Sequence, residues 1–493
     1  MQRQHFTLHQ GFGAALALLL LLLALSGTMA VYKTELALWV AGPAGTTCTS
    51  SAVPAQVAAL AYDPAVRRIT LPGYDSPFFQ LKYRDGTVAL FDQCGQPAQR
   101  SGQLLSTFLV ELHSRFFLGH EGRWLIGVLA LGMLVSTLTG LLSLTRPWRR
   151  HLQRQAGGQK SRSKWSIWHK RLGLCSLPAL LLFAITGIWL GLYGLIMPAW
   201  SLWSADSTVR VVQPVAEKRL LLAGASAGSD NAGNNVYQQL LEQSALYFPQ
   251  LQPVFIEQRF AGNNLLQLSV RGDHPGALVQ RHRSGVDYDV KRAVLQRVMP
   301  GQHSLAMRLE LMMMPLHFGD WGPAGAINLL VKALYALAGL VCSALLAAGL
   351  WLWAFRRQRY EGWLGNASAV PGRLMLALSG AFAVALWASP LLAKLLLAVT
   401  AEPQLALFYL LLLALFSVLA LIGYCVGRGL RSMLYSVFVI TLATLLTGIA
   451  DMGWWHGFHL VLLATLLGSA VYLLLTAKAS SAAKVDVERM PAR

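Results

Sequence analysis

Acidic residues are scarce in this chain: 22 Asp and Glu among 493 residues, against 41 Lys and Arg, with 13% charged overall. Soluble domains carry roughly 25% charged residues, so a soluble multidomain enzyme is disfavoured from the outset. Cysteine is scarce too. There are five, without a CxxC pair or zinc-type spacing, which argues against a cysteine-built metal site. No glycine-rich nucleotide loop, flavin fingerprint or catalytic-triad spacing occurs, so an NAD(P)H site on this chain is not expected. What is plentiful is apolar: 55% of residues are hydrophobic and the mean hydropathy is +0.48. A net charge of +19 combined with so much leucine does not describe a nucleic-acid binder. It describes an integral membrane protein with its positive charge on one side of the bilayer.

Crossing the hydrocarbon core takes about 20 apolar residues. Eight stretches meet that requirement, near 11–32, 124–145, 172–197, 327–354, 374–399, 405–427, 432–450 and 458–477. Cytoplasmic loops collect Lys and Arg beside the spans. Residues 146–171 hold nine such residues and no acid; Arg356, Arg357, Arg359 and Arg373 follow span 4, and Arg428 and Arg431 join spans 6 and 7. With both termini cytoplasmic, these segments, net of Glu361 and together with Arg3 and the +2 tail from Lys478, fall on one side and carry 17 of the 19 net charges. That pattern predicts a bacterial inner-membrane orientation. Arg3, a leucine-rich core and Thr28-Met29-Ala30 also resemble a secretory signal peptide. Retention of the first span is expected, for a reason that the repeat below supplies.

Two nearly neutral segments then lie outside, 33–112 and 201–320. Phe78 to Tyr83, Asp85-Gly86 and Val88 to Phe91 read as a hairpin, and Leu265 to Val270 reads as a further strand. A helix is expected from Asn235 to Phe248 ahead of those strands. The reading is two small α+β modules. Cys48 and Cys94 share the first, where an oxidising compartment permits a disulfide. Cys175, Cys342 and Cys425 fall inside apolar spans and are expected to be buried free thiols.

The chain also repeats itself. Span 1 begins His9-Gln-Gly-Phe-Gly13 and reaches Ser26-Gly27; span 3 begins His169-Lys-Arg-Leu-Gly173 and reaches Thr186-Gly187. Both read H-x3-G, with eighteen residues from the His to the later Gly. A disposable leader has no reason to copy the register of span 3, hence the expected retention. Spans 2 and 4 match more loosely. Each follows a Leu-His pair (Leu112-His113 and Leu316-His317) and ends in a small-Gly-Leu step (Thr139-Gly140-Leu141 and Ala348-Gly349-Leu350). His9 and His169 therefore share one depth, and His113 and His317 another. Two imidazoles facing across a four-helix bundle are what a low-spin haem b needs as axial ligands. Two haems are expected, on His9 with His169 and on His113 with His317. His120 competes with His113, whereas His456 and His459 in an aromatic run read as interfacial anchors.

Leu112-His113-Ser-Arg-Phe-Phe-Leu-Gly119 with Gly122-Arg123-Trp124 resembles the LH-x-x-L-x-x-G…GRW signature of a known family. Trp168-His169-Lys-Arg-Leu-Gly173 with Thr186-Gly187, and Leu316-His317-Phe-Gly319 with Trp321-Gly322, resemble its other two elements. The family is the PepSY-associated transmembrane helix family, which includes iron-uptake membrane proteins and inner-membrane ferric-siderophore reductases. The resemblance spans roughly residues 5–360, with moderately specific motifs. It implies haem b on bundle histidines, PepSY-type outer modules and reduction of a ferric-siderophore on the periplasmic side. At His9-Gln10 the sequence departs from the family's usual basic or Trp residue after the His.

The expected architecture is mainly α and polytopic: about eight transmembrane helices, a duplicated four-helix haem-binding bundle and two small PepSY-like periplasmic modules. In order these are a first helix (1–32), module 1 (33–112), helices 2 and 3 around the basic loop 146–171 (113–200) and module 2 (201–316). Helix 4 (317–360), a C-terminal four-helix region (361–477) and a cytoplasmic tail (478–493) complete the chain. The expected activity passes electrons across the membrane to ferric-siderophore and releases Fe(II). Membrane lipid and a quinol or cytosolic reductase as electron donor are the implied partners. Two rival readings remain at this stage: a non-enzymatic anchor whose modules bind siderophore, peptide or peptidase, and a transporter, suggested by the four extra spans. Lys394 and Glu402 lie at the end of span 5, so no mid-membrane carboxylate supports the transporter.

Overall fold

A computed structural model describes residues 2–41, 53–72, 78–92, 94–97, 101–144, 161–205, 218–219, 233–247, 249–273, 284–292, 294–298, 305–320, 326–357 and 363–399, with 408, 411–415 and 417–419. They form two compact units. One gathers Met1–Val40, Gln103–Tyr193 and Leu329–Arg493, the other Ala41–Gly102 and Gly194–Asn328.

The first unit is helical. Its leucine-rich opening contains no proline and makes one uninterrupted helix, α1 (Gln2–Ala30), followed by short α2 (Lys33–Ala41). The short α3 (Ala55–Ala61) belongs to the other unit. Then come α4 (Ser101–Arg115), α5 (Gly119–Leu142), α6 (Ser161–Cys175) and α7 (Leu177–Gly191). Four helical stretches are long and apolar enough to cross a membrane, at Arg3–Ala30, Gly119–Leu142, Ile327–Trp353 and Ala377–Leu396; α6 and α7 together pass as a fifth, bent by 62°. The protein is thus a mostly helical membrane protein with four or five spans among the described residues. Of the eight expected spans, 405–427 is described only in part, and 432–450 and 458–477 lie outside the described residues, as do His456 and His459.

The third span differs from its expected form. Read as one run over 172–197, it breaks at Ser176, and its helix begins at Ser161 inside the expected basic loop. Pro178, in the first turn of α7, has no N–H with which to continue the α6 ladder. The Ser176 hydroxyl donates back to the Leu172 carbonyl at 2.7 Å, which also accepts the Ser176 N–H at 2.8 Å. A second tight feature joins α4 to α5. Phe116 (φ 48°) and Phe117 (φ 61°) take the left-handed conformation ahead of Gly119 (φ 63°). Each non-glycine residue held so costs about 1–3 kcal/mol. Leu105, Phe108, Leu109 and Leu112 of α4 oppose that cost by packing with Met29, Tyr32 and Leu36.

The second unit holds one sheet. After α8 (Tyr193–Ala205) and α9 (Gly233–Tyr247) come β5 (Gln252–Ala261), β6 (Asn264–Asp273), β7 (Ser284–Asp289) and β8 (Val294–Val298). The earlier segment supplies β1 (Val66–Thr70), β2 (Phe79–Tyr83) and β3 (Val88–Phe91), and the pair Lys218–Arg219 forms β4. The strand order is β3-β2-β1-β5-β6-β7-β8-β4, eight strands in all. The two segments that the sequence presents as separate modules are therefore continuous in hydrogen bonding. In each, a helix leads into strands, and the strands that follow those helices, β1 and β5, pair antiparallel with Ile69 opposite Ile256. Joining β1 to β5 removes two unpaired edges at once and pools two small cores. Val57, Ile69 and Leu81 pack with Tyr237, Ile256, Leu268 and Val286. The hairpin expected at Asp85-Gly86 is present: Gly86 has φ +92°, and the Asp85 carboxylate accepts from the Thr87 N–H and hydroxyl.

Gln258 ties the seam. Its amide donates to the carbonyls of Ala61 (2.7 Å) and Val66 (3.0 Å), its oxygen accepts from the Tyr237 hydroxyl, and it is 5% exposed. Gln258→Leu strands three buried polar groups, and a loss of roughly 2–4 kcal/mol in sheet stability is expected. Hydrogen exchange in the full chain should then accelerate at both β1 and β5; protection unchanged at β1 would show that the seam does not depend on this side chain.

Candidate functional site

Glycines frame the site. In α5, Ser136 and Gly140 lie one helical turn apart, as do Leu345 and Gly349 in α11 (Ala326–Arg357). His9 Nδ1 lies 2.8 Å from the Ser136 carbonyl, and a Cβ on Gly140 would stand 2.9 Å from His9 Cε1. His169 repeats the arrangement, with Nδ1 3.2 Å from the Leu345 carbonyl and Cε1 3.2 Å from the place of a Gly349 Cβ. The H-x3-G motif is completed by its own glycine: a Cβ on Gly13 would meet the Ser136 side chain at 3.8 Å, and one on Gly173 would meet Leu345 at 3.6 Å. Each histidine lies over a glycine of its neighbour, and each neighbour's carbonyl-bearing residue lies over a glycine of the histidine's helix. That reciprocal fit explains the spacing on both sides of the repeat.

A third seat follows the same register. His113 Nδ1 lies 3.1 Å from the Leu23 carbonyl and 3.2 Å from the Ser26 hydroxyl, and a Cβ on Gly27, four residues past Leu23, would fall 2.7 Å from its Cε1. Here the reciprocal glycine is missing, because four residues beyond His113 the chain is already in the left-handed turn at Phe117. Burial pushes the His113 imidazole down to about 4, against the opposing effect of the Leu23 carbonyl. At neutral pH its ring is uncharged, the form that can ligate a metal.

A carbonyl can only accept, so the Nδ1 nitrogens of His9 and His169 carry the proton and Nε2 is the nitrogen each offers a metal. Their ring centroids stand 6.1 Å apart, with the planes inclined at 51°. Two imidazoles sharing one metal through bonds of about 2.0–2.1 Å place their centroids about 6 Å apart. Among the described residues, no group of three or more His, Cys, Asp and Glu converges as a metal cage. A two-imidazole site of this kind suits a metal whose other ligands arrive with it, as in a macrocycle. His317, near the end of α10 (Leu305–Phe318), belongs to the second unit and has Phe318 edge-on at 5.6 Å.

A family profile described as the PepSY-associated TM region matches residues 6–356. The chain belongs to this family. It is also similar to a Pseudomonas aeruginosa protein named "Uncharacterized protein PA4219", 28% identical over 268 residues. Those residues are 50% of this chain and 63% of that relative, so the match spans less than two thirds of the relative's length. The PepSY-associated region takes in all three seats and ends inside α11. Helix α12 (Trp363–Val399) lies beyond it.

Within the PepSY-associated region, His120 is exposed and its Nε2 accepts the Trp124 indole N–H at 3.1 Å, whereas His113 occupies the seat. Cys94 is disulfide-bonded, while Cys48 and Cys425 lie outside the described residues. Cys342 is a buried free thiol as expected; Cys175 is free but exposed, because it sits at the break before Ser176. Sequence reasoning missed one pair. Lys332 of α11 and Glu35 of α2 form an ion pair at 2.7 Å with side chains 5% and 8% exposed. The available signal was a single lysine inside the fourth apolar run.

Proposed function

We propose that this protein is a haem b-containing inner-membrane reductase that passes electrons across the membrane to periplasmic ferric-siderophore, releasing Fe(II) for iron uptake. The observation that carries the reading is the His9–His169 pair, with rings 6.1 Å apart and both Nδ1 atoms committed to backbone carbonyls. His9 and His169 would hold one haem and His113 would serve a second; bound haem supplies one-electron chemistry at its iron. The chain's own contribution is positional. The carbonyls of Ser136 and Leu345 fix the tautomer and ring orientation, and the glycines admit the rings. Reduction suits the cargo, since the oxygen donors of a siderophore hold Fe(III) better than the softer, less charged Fe(II). The electron donor would be a quinol or a cytosolic reductase. The +17 carried by the basic segments supports an orientation with both termini cytoplasmic and the sheet unit periplasmic.

The purified full chain should show a dithionite-reduced, low-spin b-type absorbance spectrum, with about two haems per chain. A folded preparation without haem would sink the reductase reading. It would favour the alternative, a membrane-anchored accessory protein whose sheet unit binds siderophore, peptide or peptidase.

A further inference from the structure

The three seats share one register but do not hold their imidazoles alike. His9 Nδ1 has the Ser136 carbonyl at 2.8 Å and the Ser136 hydroxyl at 3.4 Å. His113 Nδ1 has the Leu23 carbonyl at 3.1 Å and the Ser26 hydroxyl at 3.2 Å, and that hydroxyl donates to the same carbonyl. His169 Nδ1 has, among the described residues, the Leu345 carbonyl at 3.2 Å. The repeat shows why. One residue before the seat glycine stands Ser26 in one case, Thr139 in another and Ala348 in the third. Where Ser136 supplies both carbonyl and hydroxyl, its repeat equivalent Leu345 supplies a carbonyl alone.

We propose that Ser136 is a positioning residue that makes His9 the stronger, and His169 the weaker, of two unequal axial ligands. The proposal rests on the haem reading above. Hydrogen bonding at Nδ1–H sends electron density to Nε2 and raises its basicity. A more basic ligand favours the ferric state and lowers the reduction potential, hydrogen bonding around the ligands being one of the protein's levers on it. With haem bound, Ser136 would set the potential from the His9 side, and an incoming ligand would meet the weaker imidazole on the His169 side.

Reciprocal substitutions test this in the full-length, haem-loaded protein. Ser136→Ala removes the hydroxyl and keeps the carbonyl. Ala348→Ser adds a hydroxyl where the His113 seat already has one, at a buried position, 1% exposed, one residue before Gly349. Ser136→Ala is expected to shift the reduction equilibrium of one haem two- to tenfold toward the ferrous form. A tenfold change corresponds to about 59 mV for one electron. Ala348→Ser is expected to shift it the opposite way and to weaken carbon monoxide binding to the reduced protein. Full haem content with neither potential nor carbon monoxide affinity moved by either variant overturns the inequality of the ligands and leaves the haem reading standing. Absence of haem from the unmodified protein overturns both.

Discussion

Alanine at His9 and alanine at His169 are each expected to remove the same haem, and the double variant to remove no more than either alone. The rings stand 6.1 Å apart, and a six-coordinate, low-spin iron needs both. Haem per chain should therefore fall by about one in all three proteins. Losses that add in the double variant would mean that the two rings serve separate groups. The glycines beneath the rings extend the argument by graded distances. A Cβ on Gly140 would stand 2.9 Å from His9 Cε1, closer than carbons approach without displacement, whereas one on Gly349 would stand 3.2 Å from the His169 ring. Gly140→Ala should accordingly lower haem retention more than Gly349→Ala. Gly11 is the internal control: it lies in the same helix, two residues from His9, and a Cβ there meets nothing within 4 Å. Gly11→Ala should leave haem content unchanged while favouring the helix by about 0.8–1 kcal/mol. Pigment-to-protein ratios on membranes and on purified chains measure all of these.

Much of this site was legible in the sequence because a repeat converts spacing into position. Eighteen residues from His9 to Gly27 and from His169 to Gly187 set two helices in one register, and the small-Gly-Leu steps marked the ends of their partners. What the spacing did not reveal is why glycine recurs. That requires knowing that Gly140 lies under His9 and Ser136 over Gly13, a relation between chains of contacts rather than along one segment. The break at Ser176 was legible in principle from Pro178 but was outweighed by the unbroken apolar run around it, since composition measures length and not direction. The union of the two outer segments into one sheet was hidden more deeply. Strand pairing between Ile69 and Ile256 joins residues nearly two hundred positions apart, and alternation identifies strands without naming their partners. Lys332 was overlooked because a single charge barely changes the hydropathy of a 27-residue span, although it changes the energetics of burial greatly.

Lys332→Met is expected to destabilise the helical unit by roughly 3–5 kcal/mol, and Glu35→Leu combined with Lys332→Met should cost less than the two single changes summed. The pair is short, 2.7 Å, and almost wholly buried, so removing the lysine leaves a carboxylate without its cation in a medium that solvates it poorly. Removing both together avoids leaving either charge without the other. Thermal unfolding of the four proteins in one detergent, read as a double-mutant cycle, decides the matter. A double variant as unstable as the two single changes summed would show that the two side chains are not coupled.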